Sequence, residues 1–272
     1  EAEILTRKAI EFKPDFADAH SNLGNILRDL GNLKEAELST RKAIELKPDF
    51  ANAHNNLGNI LKDLGKLQEA ELCTRKAIEL RPDFAMAYSN LGSILKDLGK
   101  LQEAEPTIRK AIELNPNYAG AYASLGNILA DLGKSEEAEP LIRKAIELNP
   151  NYAEAHANLG NILGDLGKSE EAIFHYIKSV ELKPGDDNLV QSLAHNLCNR
   201  GKYELALKYL SKNKSNSSQS VYLGCLLSLD RERDFNEKYK ELSANMACNA
   251  NIGGIVEHAN IIYGKKYESP FC

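Results

Sequence analysis

The sequence predicts an all-α solenoid of antiparallel helix pairs, and three observations carry that expectation. A Leu-Gly dipeptide recurs at a fixed interval, with Gly24, Gly58, Gly92, Gly126 and Gly160 each 34 residues apart. A constant period of this size is the signature of stacked structural repeats. Within each period, apolar residues fall twice at helical spacing, with a glycine between the two runs and a proline after the second. The apolar content is Leu, Ile and Ala spread evenly, with no Trp and only 7% aromatic residues. That composition suits many thin layers, each contacting its neighbours, better than one large core.

Residues 51–84 serve as the type unit. Ala53, Leu57, Ile60, Leu61 and Leu64 lie on one face of a first helix, which Gly65 stops as a left-handed cap. A second helix starts near Gln68, carries Ala70, Ala77, Ile78 and Leu80, and ends before Pro82. Asp83 stands where it would cap the next first helix, and Ser135 and Ser169 where they would cap second helices. Pro106 and Pro140 are expected in the first turn of their helices, where a missing N–H costs nothing. Gly58 inside a helix costs about 1 kcal/mol against Ala. Its recurrence in five units therefore implies close helix–helix approach, with Ala70 and Ala77 on the partner helix. One hairpin cannot bury both its faces, so neighbours must stack.

Five full units are expected, at 17–50, 51–84, 85–118, 119–152 and 153–186. Residues 1–16 match a second helix alone, leaving an apolar face with Ile4, Leu5 and Ile10. That face is expected to fray, to dock on another molecule or to support end-to-end self-association. The half unit and the closing Ser-Pro-Phe-Cys read as cuts from a longer chain. Residues 187–272 read as divergent helical repeats and a C-terminal cap. There, 187–212 keep Leu193, Leu197, Gly201 and Ala206 but replace the early glycine by Ala194. A weaker pair is expected at 218–229 and 232–243 around Leu223-Gly224, with a last helix at 252–263.

Composition excludes several functions. The formal charge is −5, and Lys/Arg and Asp/Glu are interleaved inside each unit. No basic stripe or polybasic anchor points to nucleic acid or a membrane surface. Apolar runs are short and no signal segment opens the chain, so a cytoplasmic location is expected. Cys73, Cys198, Cys225, Cys248 and Cys272 are scattered, without a Cys-x-x-Cys motif, and read as reduced thiols. No catalytic or phosphate-binding motif occurs, so this segment is read as non-enzymatic, without a cofactor. His20, His54 and His156 share a repeat position with Tyr88 and Tyr122, which marks half-buried packing rather than metal binding. His195 and Cys198 supply two ligands where zinc wants four. Acidic pairs such as Glu69/Glu71 and Glu136/Glu137 complement helix N-termini. Arg-Lys at 41–42, 75–76 and 109–110 reads as a solvated outer face paired with nearby Glu.

The order Leu-Gly, Leu61, Gly65, Ala70, Ala77, Pro82 resembles the tetratricopeptide repeat. The resemblance implies right-handed superhelical stacking, with the first helix of each pair lining a concave face through positions 2, 5, 6, 9 and 12 of the unit. The sixth position reads Asn22, Asn56, Asn90, Ser124 and Asn158, and the ninth Asn25, Asn59, Ser93, Asn127 and Asn161. A carboxamide offers a donor and an acceptor, and so matches one peptide unit of an extended chain. The sixth-position row is similar to the asparagine ladder in the repeat arm of O-linked N-acetylglucosamine transferases, with Ser124 as a break; some of these amides would alternatively bridge adjacent repeats. Position 12 reads Arg28, Lys62, Lys96, Ala130 and Gly164, so the cations cluster in the first three units. They would favour acidic ligand side chains, or else pair with a neighbouring Asp or with acidic residues of the next repeat. The family's carboxylate clamp needs Lys at position 5, and Ser21, Asn55, Ser89, Ala123 and Ala157 stand there.

The expected function is a protein-interaction module whose groove binds an extended or helical peptide of a protein partner. The alternatives are the substrate-recruiting arm of a larger glycosyltransferase or oxygenase, and a self-assembling scaffold.

Overall fold

The structure, a computed structural model, describes residues 1–213 and 215–244. These residues form fifteen helices and, among them, no strand. The chain divides into two compact units, residues 1–150 and 151–272. The first unit holds α1 (Ala2–Phe12), α2 (Ala17–Asp29), α3 (Leu33–Leu46), α4 (Ala51–Asp63), α5 (Leu67–Leu80), α6 (Ala85–Asp97), α7 (Leu101–Leu114), α8 (Ala119–Asp131) and α9 (Ser135–Leu148). The second holds α10 (Ala153–Asp165), α11 (Ser169–Leu182), α12 (Asp187–Cys198), α13 (Tyr203–Leu210), α14 (Asn216–Ser228) and α15 (Glu232–Ala244). The helix expected at 252–263, with Cys248 and Cys272, lies outside the described residues.

Each first helix ends as the sequence predicts. Gly65 has φ +74°, and Gly31, Gly99, Gly133, Gly167 and Gly201 repeat that conformation. Lys66 N donates to Leu61 O at 2.8 Å and Gly65 N to Lys62 O at 2.9 Å. This is the paired closure of a Schellman motif, which satisfies the last carbonyls and reverses the chain. Helix starts differ from expectation. The residue before α6 is Phe84, and no side chain caps that helix, so Asp83 is not a cap. Instead Asp83 O accepts from Ala85 N, while Arg81 stacks 3.5 Å from the Phe84 ring centroid. Ser135 and Ser169 are the first helical residues of α9 and α11, behind Lys134 and Lys168, and likewise do not cap. Pro106 and Pro140 sit sixth in α7 and α9. They lie in the second turn, where each removes a real i to i−4 bond.

The mid-helix glycines lie at helix contacts. A Cβ on Gly24 or Gly58 would overlap Oγ1 of Thr40 or Thr74; on Gly92 or Gly126 it would overlap Cδ1 of Ile108 or Ile142. On Gly160 it would press on the Tyr176 ring at 3.0 Å. The partners are therefore Thr40, Thr74, Ile108, Ile142 and Tyr176, with Ala36, Ala70 and Ala104 supplying nearby backbone carbonyls at the first three sites. Stacking is shared between repeats: Leu23, Leu27 and Ala36 bury Ile60 of the next repeat, and Leu57, Leu61 and Ala70 bury Ile94. Each such aliphatic chain contributes roughly 1.5–3 kcal/mol by burial. Ile10 packs on the first of these clusters, so it is covered rather than open. Ile4 is exposed, but so are its equivalents Leu38 and Leu72 inside the array. The residues that stand out on α1 are Leu5, at 61% exposure, and Phe12, at 92%.

Candidate functional site

In the first unit the first helices α2, α4, α6 and α8 approach one another in succession. The second helices stand further apart, α3 linked to α5 and α5 to α7 by long side chains, as Arg41 to Glu69 and Arg75 to Glu103. The first helices therefore occupy the inner side of the curve, and their exposed residues form its face.

Position 5 does not line that face. Ser21 and Asn55 are buried between successive first helices, and Ser89, Ala123 and, in the second unit, Ala157 are buried as well. Their polar groups meet the sixth-position row: Asn56 Nδ2 donates to Ser21 Oγ at 3.0 Å, and Asn90 Nδ2 to Asn55 Oδ1 at 2.9 Å. Asn22 is exposed, whereas Asn56 and Asn90 are half-buried beside half-buried Asn25, Asn59, Ser93 and Asn127. The bridging role among the alternatives for these amides is thus realised at Asn56 and Asn90.

The cations at position 12 also bridge. Arg28 Nε donates to Asp63 at 2.5 Å, Lys62 pairs with Asp97 at 3.4 Å and donates to Ser93 Oγ at 2.7 Å, and Lys96 pairs with Asp131 at 3.1 Å. Each reaches the aspartate one position further on in the following repeat. The face is therefore electrostatically compensated along its length.

On the other side of the first unit, crevices recur between a second helix and the next first helix. One of about 530 Å³ is lined by Leu38, Arg41, Ile44, His54, Leu57 and Cys73. Its counterpart one repeat earlier, about 480 Å³, is lined by Arg7, Ile10, His20, Leu23, Ser39 and Lys42 among others. Leu38 lines both crevices and is exposed, as is Leu72 at the same position one repeat on. His20 and His54 edge these crevices, each with Nε2 donating to a proline carbonyl, Pro14 O and Pro48 O, at 2.9 Å. The acidic residues near second-helix starts are more than dipole partners: Glu37 accepts from Arg41 and Lys66, and Glu71 from Arg75 and Lys100. Those bonds, Lys66 and Lys100 foremost, hold both carboxyls below their usual range.

In the second unit, Asn158 is half-buried and Asn161 exposed on α10. Tyr176 OH donates to Asn161 Oδ1 at 2.5 Å, and burial pushes that phenol up. Gly164 carries no side chain at position 12, and a polar concavity of about 630 Å³ opens there, lined by Asn161, Asp165, Tyr176, Asn196, Asn199 and Arg200. Arg200 Nη1 is steered by Asn196, through its carbonyl at 3.0 Å and Oδ1 at 2.8 Å. Sequence reasoning missed this concavity because Asn196 and Arg200 fall in the divergent repeat, outside the period. His156 is buried rather than half-buried, its Nδ1 3.0 Å from Nδ1 of His175. His195 bonds to Asn199, while Cys198 faces Cys225.

In the first unit, a curved stack of helix pairs with a compensated polar inner face defines a helical-repeat binding scaffold. Family models agree: a tetratricopeptide-repeat model matches residues 51–84, 85–118 and 119–152, a TPR-repeat model 24–65, and a further tetratricopeptide-repeat model 5–37 and 141–174. The chain belongs to the tetratricopeptide repeat family. Among solved structures, the APC/C hetero-tetramer Cut9–Hcn1 superposes with a TM-score of 0.73 at 18% identity, covering 84% of this chain and 44% of that one. TTC0263, a thermophilic TPR protein of Thermus thermophilus, gives 0.61 at 23% identity, covering 67% and 99%. MamA gives 0.50 at 26% identity, covering 60% and 95%. Comparison with curated proteins finds no match. No described helix is long and apolar enough to cross a membrane.

Proposed function

We infer that this chain is a protein–protein interaction module that holds an extended peptide of a partner along the first-helix face of its N-terminal unit. The observation that carries the reading is the fixed orientation of two half-exposed amides. Asn56 and Asn90 each commit an N–H to the preceding repeat, a bond that fixes the side chain and does not use its Oδ1 acceptor. A preorganised acceptor loses little entropy when it takes a peptide N–H. Asn22, Asn25, Asn59 and Asn127 extend the row, and Asn158 and Asn161 offer the same chemistry on the second unit. Arg28, Lys62 and Lys96 serve the stack first, through Asp63, Asp97 and Asp131, and offer their remaining N–H donors to acidic ligand side chains.

The test is capture from a displayed library of extended peptides by wild type and by an Asn22→Ala, Asn56→Ala, Asn90→Ala variant shown by circular dichroism to be folded. One hydrogen bond nets about 0.5–1.5 kcal/mol, so three lost together should weaken capture by tens-fold or more. Equal capture by the two would move the binding surface to the crevices lined by Leu38. The likeness of the amide row to the transferase ladder supports a second reading, in which the chain recruits substrates for an attached enzyme. Capture that needs these asparagines, together with a catalytic domain in the full coding sequence, would favour it.

A further inference from the structure

Two cysteines that sequence spacing left scattered meet in the second unit. Cys198 ends α12 and Cys225 lies in the last turn of α14, and these helices pack on each other. Their Sγ atoms are 3.2 Å apart. Cys225 is buried, at 1% exposure, in a stretch where Leu223, Leu226 and Leu227 are buried too, whereas Cys198 is half-buried. A disulfide requires an S–S distance of about 2.0 Å, so closure asks for a movement of only about 1 Å. The third described cysteine, Cys73, has no sulfur partner among the described residues, and burial pushes its thiol up.

We propose that Cys198 and Cys225 form an oxidant-responsive dithiol, in which peroxide oxidises Cys198 and Cys225 resolves it to an intramolecular disulfide. The two sulfurs are unequal, as such a pair requires. The hydrogen bond between them holds Cys198 below the ordinary thiol range, and the same bond, with burial, holds Cys225 far above it. The thiolate is the nucleophile, so Cys198, the less buried of the two, reacts first. Its sulfur attacks one peroxide oxygen and the O–O bond breaks, leaving a sulfenic acid and hydroxide, which takes up a proton to become water. Once Cys198 is a neutral sulfenic acid, the chief cause that kept the Cys225 proton in place is gone. Cys225 sulfur then attacks Cys198 sulfur and displaces hydroxide, which leaves as water with the Cys225 proton. Two thiols and one hydrogen peroxide become one disulfide and two waters. The bond would staple α12 to α14 across a 27-residue separation.

The experiment is peroxide treatment of the full chain, followed by tryptic mapping without reduction. Cleavage separates residues 179–200 from residues 215–231, so the bond appears as one linked peptide that reductant splits. Wild type should show that link and little dimedone adduct. Cys225→Ser should accumulate dimedone label on Cys198, and Cys198→Ser should show neither product. A Cys73→Ser, Cys248→Ser, Cys272→Ser background should leave the link unchanged. Stable dimedone label on wild-type Cys198 without a link would overturn the proposal. So would links that run only to Cys248 or Cys272, or Cys198 alkylating no faster than Cys73 before oxidation.

Discussion

Asn90 donates its side-chain amide to Oδ1 of Asn55 at 2.9 Å, joining residues 35 apart in sequence but on adjacent first helices. Asn55 is buried, at 1% exposure, and its counterparts are Ser21 and Ser89. One position therefore carries the polar link between repeats, with either Asn or Ser as acceptor.

It follows that Asn55→Ala should destabilise more than Asn55→Ser. Alanine removes the acceptor of the half-buried Asn90 donor, a bond worth about 0.5–1.5 kcal/mol, whereas serine reproduces the pairing that Ser21 makes with Asn56. Urea melts of the two variants decide it. Equal midpoints would mean that the bond adds nothing to the stack.

Gly92→Leu should destabilise by on the order of 1–3 kcal/mol or more, because side-chain atoms would enter space held by Ile108. Ile108→Ala alone should also cost stability, since Ile108 is fully buried. Combined, the two should lose less than the sum of their separate losses, because the smaller chain makes room for the larger. Strict additivity in thermal melts would place the glycine away from that contact.

Pro106→Ala should stabilise. Pro106 is exposed and sixth in α7, so its ring removes a backbone bond without filling a core. Proline in a helix interior costs about 3 kcal/mol against alanine, of which local adjustment already recovers part. A higher melting temperature, and the same for Pro140→Ala in its own helix, is the expected result. A lower one would show that the proline shapes the helix it interrupts.

Acid should weaken the first unit in a defined window. Glu37 and Glu71 have folded pKa values below the ordinary carboxylate value of 4.5, because Lys66 and Lys100 bond to them. Their contribution is therefore full above that value and is lost as pH falls through the lower folded values, where the unfolded chain binds protons first. Melting temperatures measured from pH 7 down to pH 3 should fall less steeply for Glu37→Gln, Glu71→Gln than for wild type. Parallel curves would assign the acid sensitivity to other carboxylates.

Much of the fold was legible because it is local. A 34-residue period, helical spacing of Leu57, Ile60 and Leu61, and glycine at each left-handed reversal depend only on nearest neighbours, and the structure reproduces them. Asp83 does not cap because its carbonyl, not its side chain, accepts from Ala85 N, and Ser135 and Ser169 do not because they are themselves the first helical residues. A residue type permits a cap, but only the turn geometry decides whether its side chain points at the helix.

By itself, then, the sequence determined the helix pairs, their reversals and the small residues at which they touch, since period and propensity act along the chain. Only the tertiary structure decided which atom meets which across repeats. It committed Asn56 and Asn90 to Ser21 and Asn55, and tied Arg28, Lys62 and Lys96 to aspartates one repeat on. It also brought Cys198 to Cys225 and opened the concavity at Gly164. Those contacts depend on the angle and offset between stacked helices, quantities set by packing in three dimensions and not written in the spacing of any one helix.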